Sequence, residues 1–264
     1  MAARIIILAA QRAGVIDPLA SLYGISHKCL VPIAGVPLIR HVIETAAAHS
    51  VARDIIISVE PEIFDQVQGV IDALPPGLAP VRCCASADNL ADSVIGAARG
   101  HDGPIIITTA DNALLTPDAL DAIAQCVMRG ADVAIAMAKR EVVLAIHPDA
   151  QRRFYTFADA AYSNCNLYAM AGHHALKGAE IFRGGGQFAK KAGRIIEAFG
   201  LINLLLLRMG LISLPSALAR ISRRIGLKIA PVILSDGRNA IDVDNERTYA
   251  IVEGLISPRL QSSH

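Results

Sequence analysis

The chain has 264 residues, with 25 basic and 24 acidic side chains and a formal net charge of +1. That balance excludes the strong positive field that grips a nucleic-acid backbone, so no nucleic-acid partner is expected. Hydrophobic residues make up 53% and charged residues 19%, which excludes a wholly disordered chain and permits a core without staples. The cysteines (Cys29, Cys83, Cys84, Cys126 and Cys165) are odd in number and show no C-x-x-C spacing, which argues against a disulfide framework or a structural zinc. The apolar run 5–10 is too short for a signal-peptide core and passes straight into Gln11-Arg12, so a cytoplasmic location is expected.

In chain order, short β-branched runs alternate with helical stretches. Residues 4–8 read as a strand, followed by a polar loop and a helix over 37–49. Residues 54–59 read as a second strand and 62–74 as a helix, closed by Pro75-Pro76-Gly77 because proline cannot continue it. A short strand is expected at 81–84, a helix at 89–99, a buried strand at 105–109, a helix at 117–129 and a strand at 133–137. These strands are continuously apolar rather than alternating, which means burial on both faces of a parallel sheet between two helical layers.

The second half is less regular. Residues 142–169 contain candidate antiparallel strands, 228–234 and 240–243 read as later strands, and 245–254 as a closing helix. With no repeat and no Gly/Ser- or Pro-rich linker, a single domain over 1–264 is expected, carrying a hydrophobic helical insertion at about 194–227.

Ligands of an open parallel sheet lie beyond the carboxyl ends of its strands, where four segments should meet. The loop after strand one is Ala9-Ala10-Gln11-Arg12-Ala13-Gly14; small residues let a backbone approach a phosphate and Arg12 adds a planar donor fork. Lys28 lies in a loop before Pro32-Ile33-Ala34-Gly35-Val36-Pro37 and either neutralises phosphate as a point charge or is a solvated surface charge. Asp111 follows a buried strand, where a carboxylate can hold Mg²⁺ on phosphates or cap a turn. Asp242 and Asp244 share one direction on an extended segment; Asp244 either completes a metal site with Asp111 or caps the last helix.

Taken together, Leu8-Ala9-Ala10-Gln11-Arg12, Lys28 through Leu38, Thr109-Ala110-Asp111 and Ile241-Asp242-Val243-Asp244 resemble the MobA-like NTP transferases. That superfamily includes molybdenum-cofactor guanylyltransferases and sugar- and polyol-phosphate nucleotidyltransferases. The resemblance implies a Rossmann-like three-layer α/β/α fold of glycosyltransferase-A type with a mostly parallel central sheet. It implies Lys28, Arg12 and Asp111 as catalytic residues, and Leu8, Ala9, Ala10, Gln11, Arg12, Lys28, Asn89 and Ser93 around the nucleotide. Helix capping is an equal reading for Asn89. Asp111 and Asp244 are implied as Mg²⁺ ligands, and Ser163, Asn166, Arg153 and Lys190 as acceptor contacts. For the basic pairs that contain Arg153 and Lys190, the reading from the residues alone is solvated surface. The sequence departs from the family pattern where Gln11-Arg12-Ala13 replaces the usual Gly-x-Gly.

The activity so implied is Mg²⁺-dependent transfer of NMP from an NTP to a phosphorylated sugar or polyol, with release of pyrophosphate. Molybdopterin nucleotidyl transfer, glycosyl transfer from a nucleotide sugar, and non-enzymatic nucleotide binding at a membrane are the alternatives. The run 195–214, IIEAFGLINLLLLRMGLISL, is followed by Leu218, Ile221 and Ile225 on one helical face, beside Arg220, Arg223 and Arg224. This pattern fits a peripheral membrane contact over 195–225 at the inner face of a membrane, or a core or homo-oligomer contact.

Overall fold

The computed structural model describes residues 1–11, 14, 16–182 and 209–261, the side chains of 180–182 and 258–261 excepted. Strand β1 (Ala3–Leu8) lies inside the main sheet. It pairs in parallel with β4 (Ala52–Val59) on one side and β6 (Ile105–Thr109) on the other, and β5 (Val81–Ala85) extends the β4 edge in parallel. Beyond β6 the chain inserts one long antiparallel strand, β9 (Ala161–Met170), followed by β7 (Val133–Lys139) and β10 (Ile229–Leu234), which are parallel to each other. A short strand, β8 (Tyr155–Thr156), pairs with β9. Two further short strands, β2 (Pro32–Ile33) and β3 (Val36–Pro37), form a separate ribbon.

Burial explains the unbroken apolar strands. Ile5, Ile6 and Ile7 are all 0% exposed; Ile5 and Ile7 join one core while Ile6 joins the other. The first core receives α2 (Leu38–Ala48), α3 (Phe64–Asp72), α5 (Pro117–Met128) and the closing helix α8 (Glu246–Gln261). The second receives α4 (Leu90–Ala98), a 3₁₀ stretch His173–Phe182 and α7 (Leu214–Ile225). A further short helix, α1 (Pro18–Leu22), starts on Asp17, whose carboxylate accepts from the Leu19 and Ala20 N–H groups. Thr116 starts α5 in the same way, its hydroxyl accepting from the Ala119 N–H with proline at the first helical position.

Three expectations from the sequence change. Residues 140–146 form a helix, α6 (Arg140–Ile146), despite Val142 and Val143; Val143 is fully buried, so packing overrides β propensity. Residues 237–240 form a 3₁₀ turn (Gly237–Ala240), and 241–244 run outside the sheet. There the Val243 N–H donates to the Asp111 carbonyl at 3.0 Å instead of joining a strand. Helix α7 turns its apolar side inward, with Leu218 7% and Ile221 5% exposed. Of the two readings given for 195–225, the described α7 face fits core packing. Residues 195–208 lie outside the described residues, and among the described residues no helix is long and apolar enough to cross a membrane.

Gly237 is where α6 meets the turn. A Cβ at that position would lie 2.2 Å from the Val142 carbonyl oxygen, and backbone cannot yield as a side-chain tip does. Gly237→Ala is expected to cost about 3 kcal/mol, the upper range for overpacking, read as a lower urea midpoint. An unchanged midpoint would contradict the close approach.

Candidate active site

Strands β1, β4 and β6 end together, and a cleft of about 290 Å³ opens beside their carboxyl ends. Leu8, Ala9, Ala10, Lys28 and Thr109 to Asp111 line it. Two alanines leave the backbone approachable, which is the use expected for this loop. Gln11 also lines the cleft, but its donors are engaged: its backbone N–H donates to Glu60 Oε1 at 2.7 Å and its Nε2 to the Ser26 carbonyl at 2.9 Å. Arg12 lies outside the described residues.

Lys28 begins a single 3₁₀ turn, Lys28–Leu30, whose neighbour Cys29 is buried and anchors it. Its Nζ donates to Asp111 Oδ2 at 2.6 Å and to Asp244 Oδ1 at 3.1 Å. Burial opposes the ammonium, but the two carboxylates outweigh it and raise the Lys28 pKa, which favours the charged form. For Asp111, burial would raise the pKa, yet the Lys28 charge prevails and holds it below the ordinary carboxylate value. Asp242 goes the other way: burial, then repulsion from Asp111 and Asp244, pushes it well above the ordinary value.

The capping role considered for Asp244 falls to its neighbour. Asn245 Oδ1 accepts from the Thr248 N–H at 3.2 Å and supplies the start of α8. Asp244 is thereby left pointing at Lys28, with its side chain 63% exposed.

Three residues outside the expected set stitch the loops together. Asn112, fully buried, donates to the Cys165 carbonyl at 3.2 Å and to Thr108 Oγ1 at 3.3 Å. Asp242 Oδ2 accepts from Asn166 Nδ2 at 2.7 Å, and Asn164 Nδ2 donates to Asn166 Oδ1 at 2.8 Å. Asn166 sits at φ 46°, in a part of β9 whose register against β7 slips between Ile135 and Met137. This irregularity carries Asn166 to the Asp111–Asp242 region. The I-D-V-D spacing was the signal for Asp242, and Asn112 adjoins Asp111 in sequence; neither register nor partner was visible there.

The remaining expected residues lie elsewhere. Asn89 caps α4, accepting from the Asp92 N–H at 3.0 Å, and Ser93 Oγ accepts from the Ala87 N–H at 2.9 Å; both brace the loop before Leu90, which does line the cleft. Ser163 is buried in β9 opposite Ala138. Arg153 is exposed in the loop before β8, and Lys190 lies outside the described residues.

The donor set suits a hard cation. Two carboxylate oxygens, on Asp111 and Asp244, converge on one point where the Lys28 ammonium stands. Among the described residues no group of three His, Cys, Asp or Glu forms a self-sufficient cage. Mg²⁺ needs none, since it takes one or two carboxylates and completes its shell with water and substrate phosphates.

Solved structures share this architecture. A hypothetical transferase from Thermus thermophilus is 21% identical, with 94% of this chain and 100% of that one covered at a TM-score of 0.75. CMP:2-keto-3-deoxy-manno-octonic acid synthetase in complex with CTP is 15% identical, covering 98% and 100% at 0.59. The 4-diphosphocytidyl-2C-methyl-D-erythritol synthase of Anaerococcus prevotii is 10% identical, covering 97% and 98% at 0.62. At these identities the likeness establishes the fold, and a search of curated proteins returns no match. The model of the MobA-like NTP transferase domain matches residues 5–183, which takes in the β1 loop, Lys28, Asp111 and β9. The chain therefore belongs to the MobA-like NTP transferase family and is a nucleotidyltransferase.

Proposed function

We propose that the protein transfers NMP from an NTP to a phosphorylated small molecule, a sugar or polyol phosphate, releasing pyrophosphate. The observation that carries this reading is the Lys28–Asp111–Asp244 cluster at the carboxyl edge of the sheet, beside a cleft lined by the β1 loop.

The chemistry matches the residues. A phosphate monoester has a second pKa near about 6 and is largely dianionic at neutral pH. Its oxygen forms the new bond to the α-phosphorus, the bond from that phosphorus to the β-phosphate bridging oxygen breaks, and pyrophosphate leaves. No proton has to be taken from the nucleophile, so no strong general base is required. The demand is alignment and neutralisation of charge on nonbridging and leaving oxygens. Lys28, a cation lining the cleft, supplies one such charge. Mg²⁺ bound by Asp111 and Asp244 would supply Lewis-acid stabilisation of the phosphates. Asn166, held by Asp242 and Asn164, is assigned to the acceptor side.

Two of the similar folds carry cytidine chemistry in their names, which makes CTP the first nucleotide to try. The test is pyrophosphate release with CTP, GTP, UTP and ATP, each against a panel of sugar and polyol phosphates. Release should require one NTP, one acceptor and Mg²⁺ together. Release that never depends on a phosphorylated acceptor would overturn the reading.

A further inference from the structure

The point between Asp111 and Asp244 is already filled by a side chain. Lys28 Nζ lies 2.6 Å from one carboxylate oxygen and 3.1 Å from the other. A magnesium ion bridging those two oxygens would need both at about 2.0–2.1 Å, which puts it where Nζ stands, and two cations cannot occupy that one point together. We propose that Lys28 is the resident cation of this site in the nucleotide-free protein, and that a divalent metal gains both carboxylates only when a triphosphate draws Lys28 away. This rests on reading Asp111 and Asp244 as the metal pair of the proposed transferase.

Burial makes the exchange coupled rather than free. The Lys28 side chain is 22% exposed and that of Asp111 15%. Expelling the ammonium without offering it an anion leaves a poorly solvated charge, which is costly. Phosphates in the cleft that Lys28 itself lines are the acceptors to which it can turn. Metal and triphosphate then help each other bind, and the coupling is reciprocal. A bare metal ion meets a competitor covalently tethered at its own position. The arrangement brings metal and nucleotide into the site together and keeps the carboxylates neutralised between turnovers.

The test is Mn²⁺ binding to the full chain without nucleotide, followed by electron paramagnetic resonance. Lys28→Met should bind Mn²⁺ about tenfold more tightly than wild type, a mid-range coupling, while Lys28→Arg should stay as weak as wild type. Adding Asp111→Asn to Lys28→Met should remove the gain. Equal affinity in wild type and a folded Lys28→Met would overturn the proposal. Should Lys28→Met fail to fold, wild type decides: weak, millimolar uptake of Mn²⁺ without nucleotide supports the proposal, and micromolar uptake overturns it. Turnover is a separate readout. An enzyme that releases pyrophosphate but shows no Mn²⁺ gain in the variant rejects only the resident-cation role, and a gain without turnover rejects only the transferase reading.

Discussion

Asp111→Asn is expected to lower kcat/KM by about 100- to 1,000-fold, the loss typical of removing one charge-stabilising group from a preorganised site. Asn keeps the shape and can still accept a hydrogen bond from Lys28 Nζ, so the change isolates charge. The fold should survive, because Lys28 keeps Asp244 as an anionic partner at 3.1 Å and the backbone bond from the Val243 N–H to the Asp111 carbonyl does not depend on the side chain. Steady-state pyrophosphate release, paired with a thermal melt, separates the two effects. Near-normal turnover in a folded variant would remove Asp111 from the chemistry. The same residue contributes to acid behaviour. Its pKa is depressed in the native state by the Lys28 charge, against burial. The stability it gives is present above the ordinary unfolded carboxylate pKa and is lost as pH falls through the lowered native value. Asp111→Asn should therefore flatten the acid limb of the stability curve.

Arg4→Ala should give the largest loss of stability, about 3–5 kcal/mol, the usual cost of leaving half of a buried ion pair. Arg4 is 4% exposed at the amino end of β1. Its guanidinium donates to both oxygens of Asp54, at 3.0 and 2.8 Å, and to the carbonyls of Ala97 and Arg99 at 3.2 and 2.8 Å. One side chain thus ties β1, β4 and the end of α4. Removing it takes both hydrogen bonds from Asp54, whose pKa they lower first, leaves that carboxylate with the more distant and exposed Arg82 guanidinium at 3.9 Å, and strips two carbonyls of their donor. Urea denaturation at neutral pH measures the cost, and a loss below about 1 kcal/mol would place the pair among weak surface bridges. Activity per folded molecule should persist, because Arg4 sits at the sheet edge opposite the cleft.

The parallel half of the fold was legible because its signal is local. Strands such as 105–109 carry apolar side chains on consecutive positions, and only a strand buried on both faces does so. The antiparallel β9 is different. Residues 161–170 alternate less clearly, and their place between β6 and β7 is set by pairing with distant strands. The helix at 140–146 was hidden by its two valines, since tertiary packing decides such short segments. At the site, Lys28, Asp111 and Asp244 were legible as ordered motifs, and the structure brings them to one point. Asn112 was not, and the partner of Asp242 was not, because their hydrogen bonds reach residues 53 and 76 positions away in sequence.

The central claim is that an NTP, rather than a nucleotide sugar, donates its nucleotidyl group to a phosphorylated acceptor. The most direct measurement follows label from α-³²P-NTP and, separately, from γ-³²P-NTP in the presence of the acceptor that supports turnover. The account predicts that the α-label appears in a new acceptor-linked diphosphate while the γ-label leaves wholly in pyrophosphate. An α-label that stays on free nucleotide, with glycosyl transfer seen instead from a nucleotide sugar, would contradict it.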